Sequence, residues 1–245
     1  MRALLSVANR EGISALARDL AGLDVELYAT DGTREHLLAD GIDVFPVAEL
    51  THVPPLVGGL VKTFHPAVYA GILARRDRPD ELAELAEHGI GPLDIVVVTV
   101  KPFAPQVGER RVPLDEALEM VDVGGTALLS AAARNHAGVA AVSSPASYAD
   151  LVADIRARGG VSAELRQRLA AEAFAVVAAH HSEVAAYLNQ VTGTTFPRHV
   201  SIVLEKVADL PYGENPHQRA AFYRETTHRD GTLADAIQLL SLIHI

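Results

Sequence analysis

The chain has 245 residues, carries a net charge of −10 and contains no cysteine. An acidic balance argues against general binding to nucleic acid, because such binding needs clustered Lys and Arg. Without cysteine, disulfides, thiolate nucleophiles and Cys-based metal sites are excluded. The apolar runs are far shorter than the roughly 20 residues of a membrane span, and the N-terminus has no export pattern, so we expect a cytoplasmic protein without a membrane partner.

The apolar pattern alternates between short strands and amphipathic helices. Hydrophobic residues make up 49% of the chain and aromatic residues only 5%, which favours aliphatic strands covered by Ala-rich helices. The alternation predicts an α/β fold, a parallel sheet with helices on both faces. Strands are predicted over 2–7, 25–30, 94–100 and 137–144, and helices over 13–22, 31–41, 78–88, 114–120, 124–135 and 147–158.

The composition changes towards the end of the chain. Residues 162–190 form one long Ala-rich helical pattern, and residues 191–198 turn to Thr, Gly and Pro, which predicts a linker. A strand, a turn-rich loop and a second strand follow. These residues are too few for a core of their own, so they read as the opening of a second domain. The predicted division is 1–195, 196–239 and a last segment, 240–245.

Ligands of parallel sheets bind beyond the carboxyl ends of the strands, which directs attention to the loops that follow them. Loops 8–12 and 30–33 are Gly-containing junctions between a strand and a helix, and their free amides suit a phosphate. Candidate contacts are Arg10, Gly12, Gly32 and Thr33, with Thr99 at the end of a later strand. Ordinary turns explain the same residues, and Glu11 and Asp31 would repel a phosphate.

The stretch LVKTFHPAVYAGIL at 60–73 places Lys62, Thr63 and His65 within four positions. A lysine can hydrogen-bond a carbonyl oxygen in a transition state, a threonine can orient a substrate, and Pro66 suits the first turn of a helix. The alternative is an exposed lysine and a helix-capping threonine.

The stretch MVDVGGTALLSAAARNH at 120–136 is the second candidate. Asp122 precedes a turn at Gly124 and Gly125, which are candidate substrate-binding residues, and Arg134 lies at the end of the helix that follows. The alternative is that Asp122 caps this helix and Arg134 offsets its C-terminal dipole.

Four segments together resemble one family. GGLVKTFHPAVYAGILAR, VTVKPF, VDVGGTALLSAAARNH and LPYGENPHQRAAFY occur in the order and spacing of bifunctional purine-biosynthesis proteins. These join an inosine monophosphate (IMP) cyclohydrolase to a formyltransferase acting on aminoimidazole carboxamide ribonucleotide (AICAR). The resemblance runs from residue 2 to about 239. It implies a methylglyoxal-synthase-like (MGS-like) three-layer αβα fold with cyclohydrolase activity for 1–195, the incomplete start of the formyltransferase in 196–239, and a homodimer.

The cyclohydrolase of this family closes the purine ring of formylated AICAR (FAICAR), a purine ribonucleotide, to give IMP and water. The resemblance implies no metal or redox cofactor for that step, whereas formyl-tetrahydrofolate serves the formyltransferase. It places Lys62 beside the formyl group with Thr63 as its neighbour. It gives Asp122 the task of orienting and deprotonating the carboxamide.

Several positions depart from the family pattern. Lys101 stands where the family has a catalytic tyrosine, Arg134 where it has a lysine, and Leu60 where it has an arginine. The first phosphate loop, residues 8–12, reads Ala-Asn-Arg-Glu-Gly in place of Ser-Asp-Lys-Thr-Gly, and Asp31 replaces a glycine in the second. Lys101 and Arg134 stay catalytic candidates. Because losing one oriented donor typically costs about two to three orders of magnitude in rate, these departures favour a slow enzyme, or one reshaped for a related nucleotide.

The C-terminal end departs from the family too. Tyr212 and His217 match the first motif of the formyltransferase, but Pro211 replaces its usual arginine. Residues 240–245, LSLIHI, have no place in the family pattern and read as a non-native tail. We therefore expect no formyltransferase activity from this chain.

Two other classes of function fit parts of the pattern. Related MGS-like domains bind effectors without turning them over, so a non-catalytic nucleotide-binding module is one alternative. The other is a methylglyoxal synthase with Asp122 as its base. The motifs around Lys62 and Tyr212 speak against that enzyme.

Overall fold

The computed structural model describes residues 1–103, 112–226 and 236. Strands and helices alternate up to residue 191, and a two-stranded hairpin follows. The strands are β1 (Arg2–Val7), β2 (Glu26–Ala29), β3 (Phe45–Pro46), β4 (Ile95–Thr99), β5 (Ala140–Val142), β6 (Leu204–Leu210) and β7 (Ala220–Glu225). The helices are α1 (Ile13–Ala21), α2 (Asp31–Ala39), α3 (Ala48–Thr51), α4 (Pro66–Leu73), α5 (Pro79–Glu87), α6 (Leu114–Glu119), α7 (Val123–Arg134), α8 (Tyr148–Arg158) and α9 (Ala163–Val191).

Strands β1 to β5 form one parallel sheet in the order β3-β2-β1-β4-β5. At its centre, Leu4 of β1 pairs with Tyr28 of β2 and with Val96 of β4. Every residue of β4 is buried. A strand covered by helices on both faces needs apolar side chains at successive positions, which explains the continuous run IVVVT. The predicted parallel sheet is confirmed.

Helices cover both faces of the sheet and bury an apolar layer on each. On one face, Ile13 and Leu16 of α1 pack with Leu151 of α8 against one set of strand residues. On the other face, Ile72 of α4 and Leu129 of α7 pack against the alternate set. Successive strand side chains point to opposite faces, so one short strand serves both layers. The predicted three-layer α/β arrangement is confirmed.

The long helix α9 contributes to both apolar layers. Its Leu165 and Leu169 belong to the layer under α1 and α8, whereas Ala173 and Val177 belong to the layer under α4 and α7. The helix is continuous over 29 residues, which corresponds to a length of about 43 Å. It therefore joins the two sides of the sheet along the edge formed by β5.

Two elements of the fold were not predicted, and one cap differs from its prediction. Strand β3 has two residues and helix α3 has four, so neither is long enough to show a hydrophobic period. Helix α4 begins at Pro66 as predicted, but its capping side chain is His65, whose Nδ1 accepts a hydrogen bond from the Ala67 N–H at 3.2 Å. Thr63 does not cap this helix.

A separate hairpin follows the α/β unit. Strands β6 and β7 pair in antiparallel fashion, and β6 is exposed along its whole length. The strand, loop and strand predicted after residue 200 are thus present without a core of their own. The division at 195 and 239 stays a prediction, and segment 240–245 lies outside the described residues.

The described part of the chain offers neither a membrane span nor a metal cluster. None of its helices combines the length and apolar character needed to cross a membrane. Within 1–103, 112–226 and 236, His, Asp and Glu side chains do not gather in threes as a metal site would require.

We expect Asn135→Ala to destabilise the fold by about 2–4 kcal/mol, because it leaves two buried carbonyls without a donor. The buried Nδ2 of Asn135 donates to the carbonyls of Ile72 and Ala74 at 2.7 and 3.0 Å, which ties the end of α7 to the end of α4. Urea unfolding measures the change. Gln167→Ala, at an exposed position of α9, should change the free energy of unfolding by less than about 0.5 kcal/mol. Equal losses in the two variants would contradict the structural role of the Asn135 hydrogen bonds.

Candidate active site

The carboxyl ends of β1 and β4 are joined by hydrogen bonds that fix the loop after β1. The N–H of Ala8 donates to the carbonyl of Thr99 at 3.1 Å, and the N–H of Asn9 donates to the Thr99 hydroxyl at 2.8 Å. Thr99 is buried, so its hydroxyl forms its hydrogen bonds with this loop. Its contribution to the site is to shape the loop that starts at residue 8.

The loop after β2 lies against the loop after β1. The buried Thr33 hydroxyl accepts a hydrogen bond from the N–H of Val7 at 3.0 Å, and the Arg10 guanidinium donates to the carbonyl of Gly32 at 3.4 Å. Gly12 opens helix α1 with a φ of 67°, a left-handed value that glycine adopts readily, and no side chain caps the helix. The five residues predicted from loops 8–12 and 30–33 and from Thr99 are therefore neighbours.

Asp122 links the end of β4 to the start of α7. One carboxylate oxygen accepts a hydrogen bond from the N–H of Gly125 at 2.8 Å, and the other accepts one from the N–H of Lys101 at 3.2 Å. Asp122 is therefore the N-cap of α7, as the structural alternative held, and it also holds the backbone at Lys101. Each carboxylate oxygen keeps a further lone pair for another donor.

Gly125 allows this carboxylate to lie over the helix start. A Cβ built on Gly125 would be 2.7 Å from Oδ2 and 3.0 Å from Oδ1 of Asp122, which is closer than real contacts allow. A Cβ on Gly124 would meet only the Thr63 hydroxyl, at an ordinary 3.8 Å. The two glycines therefore have different tasks: Gly125 makes room for Asp122, and Gly124 faces the segment that carries Lys62.

Lys62 and Lys101 belong to two segments that meet the Asp122 turn, through Thr63 and through the Lys101 N–H. Lys62 is half-buried and precedes the buried Thr63, which faces Gly124, and Lys101 is exposed at the end of β4. Among the described residues neither ammonium forms an ion pair. Both are available to a ligand.

The distribution of lysine in the chain sets this turn apart. The chain contains three lysines, Lys62, Lys101 and Lys206, and all of its other Lys-or-Arg positions are arginine. Lys206 lies in the hairpin and pairs with Asp209 at 3.0 Å. An ammonium can exchange a proton that a guanidinium retains, so a lysine has chemistry that arginine lacks. The scarcity of lysine is therefore a sequence feature that points to this turn and that the motifs did not reveal.

Arg134 does not join the other candidates within one chain. It is exposed in the last turn of α7, whereas Asp122 caps the first turn. Twelve helical residues separate the two ends by about 17 Å. Its dipole-offsetting position matches the structural alternative, and a catalytic role for it stays a prediction.

The loop before Lys62 is exposed and tightly turned. Leu56 pairs with Val61 in an isolated bridge, and Val57 has a φ of 51°, which is unfavourable for a β-branched residue. Leu60, which occupies the position of a family arginine, is 70% exposed. It brings no charge to the site.

His180 is a buried neighbour of the site that motif reading missed. It lies on α9 with 4% of its surface exposed, and its Nε2 accepts a hydrogen bond from the N–H of Asp122 at 3.2 Å. Burial lowers the pKa of His180, and the nearby Asp122 carboxylate offsets part of that shift. The sequence could have pointed to it, because His180 occupies an apolar position of an Ala-rich helix.

Known proteins resemble this chain in fold and in sequence. The fold is that of an MGS-like domain, and the family model of that description matches residues 12–127. A second family model, described as AICARFT/IMPCHase bienzyme, matches residues 132–241. The chain belongs to the AICARFT/IMPCHase bienzyme family.

Curated relatives match almost the whole chain. The bifunctional purine biosynthesis protein PurH of Rhodopirellula baltica is 42% identical over 97% of this chain and 46% of its own length. PurH of Listeria monocytogenes is 40% identical over 97% of this chain and 47% of its own length. The chain thus spans about half the length of these relatives. A solved structure described as the crystal structure of ForH is 36% identical, with a TM-score of 0.67 over 77% of this chain and 98% of its own.

We expect Gly125→Ala and Gly124→Ala to differ, although both add one methyl group to the first turn of α7. Both gain helix propensity, but only the first displaces the Asp122 carboxylate, so Gly125→Ala should be less stable than Gly124→Ala by about 1–2 kcal/mol, the value of an N-cap. Urea unfolding of the pair isolates this difference. Identical stabilities would mean that the carboxylate is not seated over Gly125.

The position of Arg134 gives a second test. If its distance from Asp122 within one chain reflects its role, Arg134→Ala should lower any ring-closing turnover by the chain by less than about threefold, the range expected when no transition-state contact is lost. Steady-state kinetics at saturating substrate measure the effect. A loss of about a hundredfold with unchanged thermal stability would instead support a catalytic role for Arg134.

Proposed function

We propose that the chain acts as an IMP cyclohydrolase, closing the ring of FAICAR to give IMP and water. The observation that carries the proposal is the approach of the Lys62-Thr63 segment to the Asp122 turn, with a Cβ on Gly124 falling 3.8 Å from the Thr63 hydroxyl. An ammonium and a carboxylate near one turn suit a reaction that needs oxyanion stabilisation and proton removal. Family membership supports the same reaction.

In this proposal the ribonucleotide phosphate lies at the ends of β1 and β2. Arg10 supplies a charge that already contacts the second loop through the carbonyl of Gly32. The amides that follow Gly12 and the turn at Gly32 and Thr33 supply further donors. Lys62, Asp122 and Lys101 then face the base end of the substrate, because Lys101 follows Thr99 by two residues at the same strand end.

The proposed chemistry forms one carbon–nitrogen bond and releases water. The carboxamide nitrogen loses a proton to Asp122 as it bonds to the formyl carbon, and the formyl oxygen becomes an oxyanion beside the Lys62 ammonium. Asp122 returns its proton to the oxyanion, which becomes a hydroxyl and leaves the carboxylate ionised again. The hydroxyl leaves as water with loss of a nitrogen proton, and the ring is closed. Holding both groups in attack geometry supplies much of the rate gain.

Lys101 takes the place of the family tyrosine in this scheme. Lys101 is exposed, and its backbone N–H already orients the carboxylate of Asp122. We propose that it adds positive charge at the developing oxyanion in place of a hydroxyl donor. Thr63, buried against Gly124, orients the substrate or the lysine beside it.

The formyltransferase half of the family lies largely outside this proposal. The described residues after 195 form an exposed hairpin, with Tyr212 at 38% exposure. The proposal covers the ring-closing step alone, for which we propose no metal, redox cofactor or formyl-tetrahydrofolate. A homodimer in the cytoplasm, acting on a free purine ribonucleotide, completes the proposal. The comparisons do not favour a non-catalytic module or a reshaped cyclohydrolase.

We expect Lys62→Ala to lower ring closure about 100- to 1000-fold, because the oxyanion loses its donor. The assay follows purine absorbance after addition of FAICAR. Lys62→Arg should recover only part of the rate, since a guanidinium is larger and differently shaped. Lys206→Ala, the third lysine of the chain, is the matched control and should leave the rate unchanged.

Thermal unfolding distinguishes a catalytic from a structural Lys62. The alanine variant should retain the melting temperature of the parent chain, because the half-buried ammonium forms no ion pair among the described residues. A parallel fall in melting temperature and rate would return Lys62 to a structural role. A parent chain that binds FAICAR without closing its ring above the spontaneous rate would refute the proposed activity itself.

A further inference from the structure

His180 receives a hydrogen bond from the backbone of the residue proposed as the base. The N–H of Asp122 donates to Nε2 of His180 at 3.2 Å, across 58 positions of sequence. A nitrogen that accepts a hydrogen bond cannot carry a proton, so the imidazole is neutral with its proton on Nδ1. The nearby backbone of Lys101 raises the pKa of His180 in part. The Asp122 carboxylate accepts a hydrogen bond from the N–H of Lys101, so the imidazole and the carboxylate both have this backbone as a neighbour.

The same face of α9 holds the chain on both sides of segment 104–111. Phe103, only 1% exposed, packs edge-on against His180 with ring centroids 6.3 Å apart and against Tyr187 at 5.5 Å. The Tyr187 hydroxyl donates to the carbonyl of Val112 at 3.2 Å. His180 and Tyr187 are two helical turns apart and lie on one face. Helix α9 thus contacts Phe103 and Val112 directly. It also holds Asp122 through His180, and Asp122 in turn accepts a hydrogen bond from the N–H of Lys101.

The charged groups around His180 set its protonation. Asp122 faces it from the turn before α7, and His181 and Glu183 lie beside it on α9. Burial is the largest influence and lowers the pKa of His180, and His181 lowers it further, whereas Asp122, Glu183 and the Lys101 backbone raise it in part. The net direction is downward, so the neutral form that the hydrogen bond requires is the stable one at neutral pH.

We propose that His180 is a positioning residue of this site, whose neutral imidazole holds the Asp122 turn in the geometry that ring closure needs and releases it when protonated. The proposal rests on the proposed cyclohydrolase function for its kinetic consequence. Protonation would place an N–H at Nε2, directly opposite the N–H of Asp122, so that the acceptor becomes a second donor. The turn and the carboxylate would then move together.

The pH dependence follows from the direction of the shift. Because the unfolded chain binds a proton near pH 6.5 and the folded chain only at lower pH, the unfolded state holds more protons in this window. Stability from neutral His180 is therefore complete above about pH 6.5 and is lost as pH falls from there through the lower pKa of the folded state. Turnover belongs to the folded chain, so it should fall only at the acidic end of this range, where the folded state takes up the proton and the turn is released.

Two substitutions separate positioning from packing. His180→Gln offers an amide oxygen near the place of Nε2 and cannot titrate in this range, whereas His180→Leu keeps bulk and removes the acceptor. We expect His180→Leu to lower kcat about 100-fold, the cost of a misplaced catalytic group, with KM within about threefold. His180→Gln should recover most of kcat and lose the acidic fall in turnover below pH 6.5. His88→Gln, the same change at an exposed position after α5, is the control and should leave both unchanged.

The tautomer and the stability profile test the proposal without substrate. Nitrogen-15 spectra of histidine-labelled chain should show one ring with a protonated Nδ1 and a bare Nε2 at pH 7.5, absent from His180→Gln. The parent's loss of unfolding free energy below pH 6.5 should be reduced in His180→Gln. A protonated Nε2, an unchanged acidic fall in His180→Gln, or equal kcat in the Gln and Leu variants would overturn the proposal. A parent chain without ring-closing activity would count against the cyclohydrolase function alone, because the spectra and the stability profile still decide the state of His180.

Discussion

The candidate site depends on one carboxylate held between two backbone amides. Asp122 accepts from Lys101 at the end of β4 and from Gly125 at the start of α7. The sheet and a helix that packs on it are thereby fixed to each other where ligands of parallel sheets bind. A residue that caps a helix is already oriented before any substrate arrives. Structural and catalytic roles for Asp122 are therefore compatible.

The candidate site consists of two neighbouring groups of residues at the strand ends. The loops after β1 and β2, joined through Thr99, Thr33 and Arg10, form one group, and the Asp122 turn with its lysines forms the other. The two meet on β4, where Thr99 serves the first group and Lys101 the second. Since β4 is fully buried and pairs with β1, a strand held on both faces by the core sets the spacing between the two groups.

Sequence patterns predicted the fold well because its elements are long enough to show a period. The runs IVVVT and RALLSV and the helices around them were assigned within a few residues, whereas β3 and α3 were too short to leave a signal. For the site, the family resemblance singled out Asp122, Lys62 and Thr63, and the structure places Thr63 against the turn that Asp122 caps. Spacing along the helix had already placed Arg134 at the far end from Asp122. His180 was missed because its partner is 58 positions away, and such contacts depend on tertiary packing.

The long helix α9 is the last part of the α/β unit to be synthesised, yet it lies in both apolar layers and holds the Asp122 turn through His180. The first 160 residues can therefore leave a ribosome as a sheet with one uncovered edge. The hydrogen bond between the Asp122 N–H and His180 can form only after α9 has packed against that edge. The Asp122 turn would then be the last part of the candidate site to reach its final geometry.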